Sequence, residues 1–181
     1  RQIERVNYAN VIKSFTGLRY EARSEAGHSL DLFAVVPIAR RPGDRESVAD
    51  NQIEADEEQC GRLIWGAHLI RRDIAPSLIS DLTGEIFAYG LHERDTDAHP
   101  TPNRDYFTPG LRLRRAPAPG RADFEIEAAV RAGERRATRA PSDTRDLDVF
   151  AGMIFAALGY TFEAPWRPRL ALEYYFASGD E

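Results

Sequence analysis

The chain has 181 residues, enough for one domain, taken here as 1–181. Hydrophobic residues make up 43% and charged residues 29%, and mean hydropathy is -0.47; no apolar run approaches the ~18 residues of a membrane helix, which excludes helical spans but not a β-barrel. A net charge of -5 excludes a general nucleic-acid binder, and the lone cysteine, Cys60, excludes an internal disulfide.

Eight segments carry strand-like alternation or β-rich composition. They begin with 15–25 (FTGLRYEARSE), 28–38 (HSLDLFAVVPI), 61–72 (GRLIWGAHLIRR) and 79–93 (ISDLTGEIFAYGLHE). The second half adds 104–115 (RDYFTPGLRLRR), 122–134 (ADFEIEAAVRAGE), 147–162 (LDVFAGMIFAALGYTF) and 167–177 (RPRLALEYYFA). The acidic stretch 48–60 reads as a loop, with a short helix as the alternative. In the fifth segment Arg112 and Arg114 alternate with Leu111 and Leu113. In the sixth, Asp123, Glu125, Glu127 and Arg131 oppose Phe124, Ile126, Ala128 and Val130. Residues 147–162 admit a helix, because Val149, Met153, Ala156 and Ala157 have helical spacing. Gly152, Gly159 and the ending "GYTF" argue for a strand. In the last segment Leu170, Leu172, Tyr174 and Phe176 share one face.

Short and long connections alternate along the chain, the layout of barrels with short turns at one rim and long loops at the other. The segments match the ~9–11 residues of a tilted membrane strand better than the ~5–6 of a soluble one. Tyr106, Phe107, Trp65, Phe162, Trp166, Tyr174 and Phe176 are candidates for interfacial girdles. The expected fold is an all-β, antiparallel up-and-down transmembrane β-barrel, with about eight strands in this chain and more in a larger barrel. The opening "RQIERVNYAN" and the ending "ASGDE" fit an internal section of a longer polypeptide. On that reading the fragment alone either curls into a smaller closed barrel or aggregates through its open edges. The alternative is a soluble eight-stranded β-barrel that binds a ligand inside; a third reading is an outer-membrane enzyme.

Several stretches resemble the alginate export family of outer-membrane proteins. They are "FTGLRYEAR" with "DLFAVVPIARRP", then "TPGLRLRRAPAPGRADFEIEAAVRAG", and most specifically "GYTFEAPWRPRLALEYYFASGDE". The resemblance runs from about Phe15 to Glu181. It implies an outer-membrane porin of a Gram-negative bacterium that exports an anionic polysaccharide such as alginate passively through an Arg-lined lumen. It also implies outer-membrane lipid and lipopolysaccharide as surroundings, and a periplasmic export machinery as candidate partner.

Alternation alone selects the lumen residues. If the apolar faces meet lipid, then Arg19, Glu21, Arg23, Asp31, Arg112, Arg114, Asp123, Glu125, Glu127, Arg131, Arg169 and Glu173 face inward. Arg62 joins them if Leu63, Trp65, Ala67 and Leu69 face out. A lipid-facing Arg or Lys costs ~2–4 kcal/mol at the midplane, so inward placement is favoured. An arginine ladder would hold uronate carboxylates by bidentate bonds. The candidate substrate-binding residues are therefore Arg19, Arg23, Arg62, Arg112, Arg114, Arg131, Arg169, Glu125, Glu127 and Glu173. The competing reading of each arginine is an ion pair that braces the wall. Asp95, Asp97 and His99 alternate in "HERDTDAH", without the glycine and distal glutamate of a calcium loop, so they read as a solvated outer loop. His28, His68 and His92 have no ligand spacing, and no nucleophile elbow or phosphate loop is present. No catalysis, metal or cofactor is expected.

Overall fold

The computed structural model describes residues 14–96, 99–140 and 142–179. One antiparallel sheet contains nearly all of it. The long strands are β1 (Ser14–Arg23), β2 (Ser29–Ala39), β4 (Arg62–Arg71), β5 (Leu82–Glu93), β6 (Asp105–Arg115), β7 (Arg121–Arg136), β8 (Asp146–Thr161) and β9 (Arg169–Ala177). Each pairs with the next in an unbroken meander, and β1 does not meet β9, so the sheet is open. A two-residue strand, β3 (Glu57–Glu58), pairs with the end of β2. These are the eight expected segments plus one short addition, and closure into a smaller barrel does not occur.

Two local expectations resolve here. Residues 147–162 adopt the strand form: β8 pairs with β7 along its whole length, from Arg121↔Thr161 to Arg136↔Asp146. The β-branched and aromatic residues win because alternate backbone groups gain partners on β7, and from Met153 onward the others gain them on β9. The acidic stretch 48–60 is mostly loop, as expected, with a helix that ends inside it at 48–49 and a two-residue strand at 57–58. A five-residue helix, α1 (Arg45–Ala49), starts at Asp44, whose carboxylate accepts from the Ser47 amide at 2.8 Å; β3 follows it.

The connections fall on alternate rims, but their lengths alternate only in part: 72–81 has ten residues and 137–145 has nine. At one rim lie 24–28, 72–81, 116–120 and 162–168; at the other lie 40–61, 94–104 and 137–145. Glycines at positive φ, Gly27 at 77° and Gly120 at 71°, make the two tightest turns possible.

The register places side chains, since residues directly opposite across an antiparallel pair share a face. One face is apolar along every long strand. On β8 it reads Phe150, Gly152, Ile154, Ala156, Leu158 and Tyr160. Those ten residue steps span ~34 Å along the strand, which a ~45° tilt reduces to about 25 Å, the height of a barrel's lipid-facing band. Aromatic pairs mark the ends of this surface. Trp65 stacks on Phe107 at 5.9 Å toward the long loops, and Tyr160 meets Phe162 edge-on at 5.1 Å toward the short turns.

Burial is inverted relative to a water-soluble fold. Among the described residues the buried apolar side chains are Leu82, Phe87, Ala129 and Val149. The buried polar ones are more numerous: Thr83, Glu85, Glu93, Thr101, Thr108, Asp123, Arg136 and Thr161. Leu170 is 73% exposed and Leu172 is 76% exposed, on the same face as Leu158 at 61%. A contiguous apolar surface of this extent marks contact with lipid or a partner.

Candidate functional site

The opposite face carries the charges, interrupted by apolar residues such as Val35, Ile64 and Leu91, and every lumen residue expected from alternation lies on it. The pairs Glu21↔Asp31, Asp31↔His68, Glu85↔Arg112, Arg112↔Glu127 and Arg114↔Glu125 carry that face from strand to strand. Thr161↔Arg169 and Ala157↔Glu173 extend it to β9. Arg62 joins through Arg62↔Glu93.

These residues do not form a ladder of free guanidinium groups. Arg19 binds Asp31 through two nitrogens at 2.6 and 3.0 Å, and Arg23 pairs with Glu21. Arg112 donates to Glu125 at 2.6 Å, with Glu85 and Glu127 both at 3.7 Å. Arg114 lies 3.2 Å from Glu85. Arg169 grips Asp123 in fork geometry, at 2.6 and 3.1 Å. Cross-strand neighbours of opposite charge converge because the strands alternate in the same phase, so the bracing role of the arginines is realised.

Arg131 is different. Its guanidinium donates to the Thr108 hydroxyl at 3.2 Å and lies 5.4 Å over the Tyr106 ring. Its contacts are thus a hydroxyl and a ring, where the other arginines of this face grip carboxylates.

Alternation did not single out Glu85, Glu93 or the aromatic residues among these charges. Phe87 stacks on Tyr89 at 5.4 Å, and Tyr89 approaches Phe33 at 6.2 Å, all on the polar face. Three rings on the wet side of β2 and β5 blur the contrast that reveals inward-facing acids. Glycines opposite these rings accommodate them: a Cβ at Gly66 would lie 2.6 Å from Tyr89, and one at Gly110 2.3 Å from Phe87.

At the long-loop rim Glu93 is fully buried. Arg104 binds it with two nitrogens, at 2.7 and 2.9 Å, and Arg62 approaches at 2.6 Å. The bond to Glu93 holds the Arg104 guanidinium further above its ordinary range. Asp95 pairs with Arg136 at 2.6 Å and accepts from the Thr101 amide, and Arg136, then that amide, keep its carboxyl below the usual carboxylate range. Asp95 is thus a tether for the 94–104 connection, and Asp97 lies outside the described residues. The described residues hold no cluster of three His, Cys, Asp or Glu suited to a metal ion.

Toward the short turns the polar face is hollowed into a half-open cavity of about 580 Å³. Arg112, Arg114, Arg169, Asp123, Glu125, Glu127 and Glu173 line it together with Met153, Phe155 and Tyr175. A family model described as alginate export matches residues 1–181, the whole chain. Comparison with curated proteins found no match, and comparison with solved structures found none either.

Proposed function

Because this chain belongs to the alginate export family, we propose that it forms a stretch of wall in an outer-membrane pore that passes an anionic polysaccharide or oligosaccharide passively. The observation that carries this reading is the inversion of burial. Leucines and aromatics lie open on one face, while Glu85, Asp123 and the arginines paired with them are sheltered on the other. Lipid outside and water inside is the environment in which both faces are satisfied. The alternative of a soluble barrel requires the apolar face to be enclosed, and in the open sheet it is exposed.

The paired charges define how such a wall treats a polyanion. Arginines already held by Asp31, Glu125 or Asp123 offer an incoming carboxylate an exchange of partners, not an empty site. Exchange keeps each contact weak, and conduction needs contacts that are many and individually weak. Arg131, bonded to a hydroxyl and a ring, is the guanidinium best placed to take a uronate without displacing a wall carboxylate. The polar-face candidates act in this scheme as one surface: Arg19, Arg23, Arg62, Arg112, Arg114 and Arg169, with Glu125, Glu127 and Glu173 spacing them. Lipopolysaccharide around the rim and a periplasmic export machinery complete the proposed setting.

Single-channel recording of the complete polypeptide in planar bilayers tests this reading. Polyuronate is expected to interrupt the current transiently, and Arg131→Gln to shorten each interruption. Channels that ignore polyuronate refute the anionic substrate, and a polypeptide that folds in water without detergent refutes the pore.

A further inference from the structure

We propose that the cavity beside β9 is a saccharide subsite that recognises the sugar ring by stacking on Tyr175 and Phe155, and not by net charge. The inference rests on the reading of the chain as a glycan pore and names how one part of that wall would hold its cargo.

Register brings the two rings together. Arg112↔Glu127, Glu127↔Phe155 and Phe155↔Tyr175 form one row across β6, β7, β8 and β9. Tyr175, exposed like all of the edge strand β9, lies on the polar face, whereas its neighbours Tyr174 and Phe176 point to the apolar one. An aromatic residue open to water among ion pairs offers a flat apolar surface with a hydroxyl at its edge.

The charged groups nearby are already occupied. Arg169 is held by Asp123, and Arg112 by Glu125. The cavity lining carries arginine and carboxylate in close balance, so its field offers little to a polyanion as such. A pyranose has the complementary form: a C–H face for Tyr175 and Phe155, and a rim of hydroxyls that can donate to Glu173 and accept from Arg114. At about 580 Å³ the space falls within the ~300–1,000 Å³ usual for small-molecule clefts.

The test uses the complete polypeptide in planar bilayers, with oligouronate and a neutral malto-oligosaccharide as separate probes at low and high salt. Heat-modifiable migration on a gel establishes that each variant is folded. Tyr175→Ala is expected to shorten interruptions by both glycans about tenfold, the size of one lost aromatic contact, while Tyr175→Phe retains them. High salt should leave the neutral probe's interruptions unchanged. Equal interruption times in Tyr175→Ala and the parent pore overturn the inference. So does interruption by oligouronate alone that disappears in high salt, and so does interruption by neither probe. A pore stopped by the neutral glycan through Tyr175, and indifferent to oligouronate, sustains this subsite and refutes the anionic substrate.

Discussion

Ile86→Arg separates a lipid-facing surface from a wet one. Ile86 is 64% exposed and sits midway along the apolar run of β5, with Leu69 and Leu111 as its cross-strand neighbours. On a protein bathed in water, a substitution at so open a position shifts stability by no more than about 0.5 kcal/mol. In a bilayer the same guanidinium near the midplane costs ~2–4 kcal/mol. That is a decrease of about thirtyfold to nearly a thousandfold in the folding equilibrium. The control is Ala157→Arg, which places the same side chain on the polar face between Glu125 and Glu173. Urea titration of the complete polypeptide in lipid vesicles, read by heat-modifiable migration, gives both numbers. Ile86→Arg should lose several times more stability than Ala157→Arg. Equal losses, or a smaller loss at Ile86, refute the assignment of faces on which the pore rests.

Glu93→Gln should destabilise by about 1–3 kcal/mol, because Arg62 and Arg104 lose the buried charge that satisfies them; faster proteolysis of the 94–104 connection reads this out. Gly110→Ala should cost about 1–3 kcal/mol in the same urea titration, since its Cβ would meet the Phe87 ring at 2.3 Å, whereas Gly152→Ala, with only the Ala129 carbonyl at 3.8 Å, should be close to neutral. The Asp95 carboxyl titrates below its unfolded value of about 3.9, so its tether is fully present above that pH and is lost as pH falls through the lower folded value. Amide exchange in 94–104 should therefore be flat from neutral pH down to about 5 once corrected for its intrinsic pH dependence, accelerate only in strong acid, and show no such acid step in Asp95→Asn.

Strand positions were legible because period-two alternation is a property of each segment by itself. Leu111, Arg112, Leu113 and Arg114 declare both faces without reference to any neighbour. Residues 147–162 were ambiguous for the opposite reason: their inward side carries Val149, Ala151, Met153, Phe155 and Ala157, and a segment apolar on both sides has no period to read. The helix at Arg45–Ala49 was not legible, because the acidic run 54–58 lies beyond it and its start is fixed by the Asp44 cap. The inward arginines could be placed from the sequence; their partners could not. Whether Arg169 is free or held depends on Asp123, 46 positions away and on a strand two places over, and only register brings that carboxylate within 2.6 Å. Nothing in the sequence marks Glu93 or Tyr175 as a site residue for the same reason, since burial and exposure belong to the assembled sheet.

The next-neighbour order of the long strands has a developmental consequence. Since every long strand pairs only with those next to it in the chain, a gene segment encoding two strands could be duplicated or deleted without changing the order of the rest. Circumference would change in increments of one hairpin, and bore with it, while the oily and wet sides stayed in phase. Such an architecture lets lineages rescale a conduit for bulkier or slimmer cargo by copying modules, before any single side chain is altered.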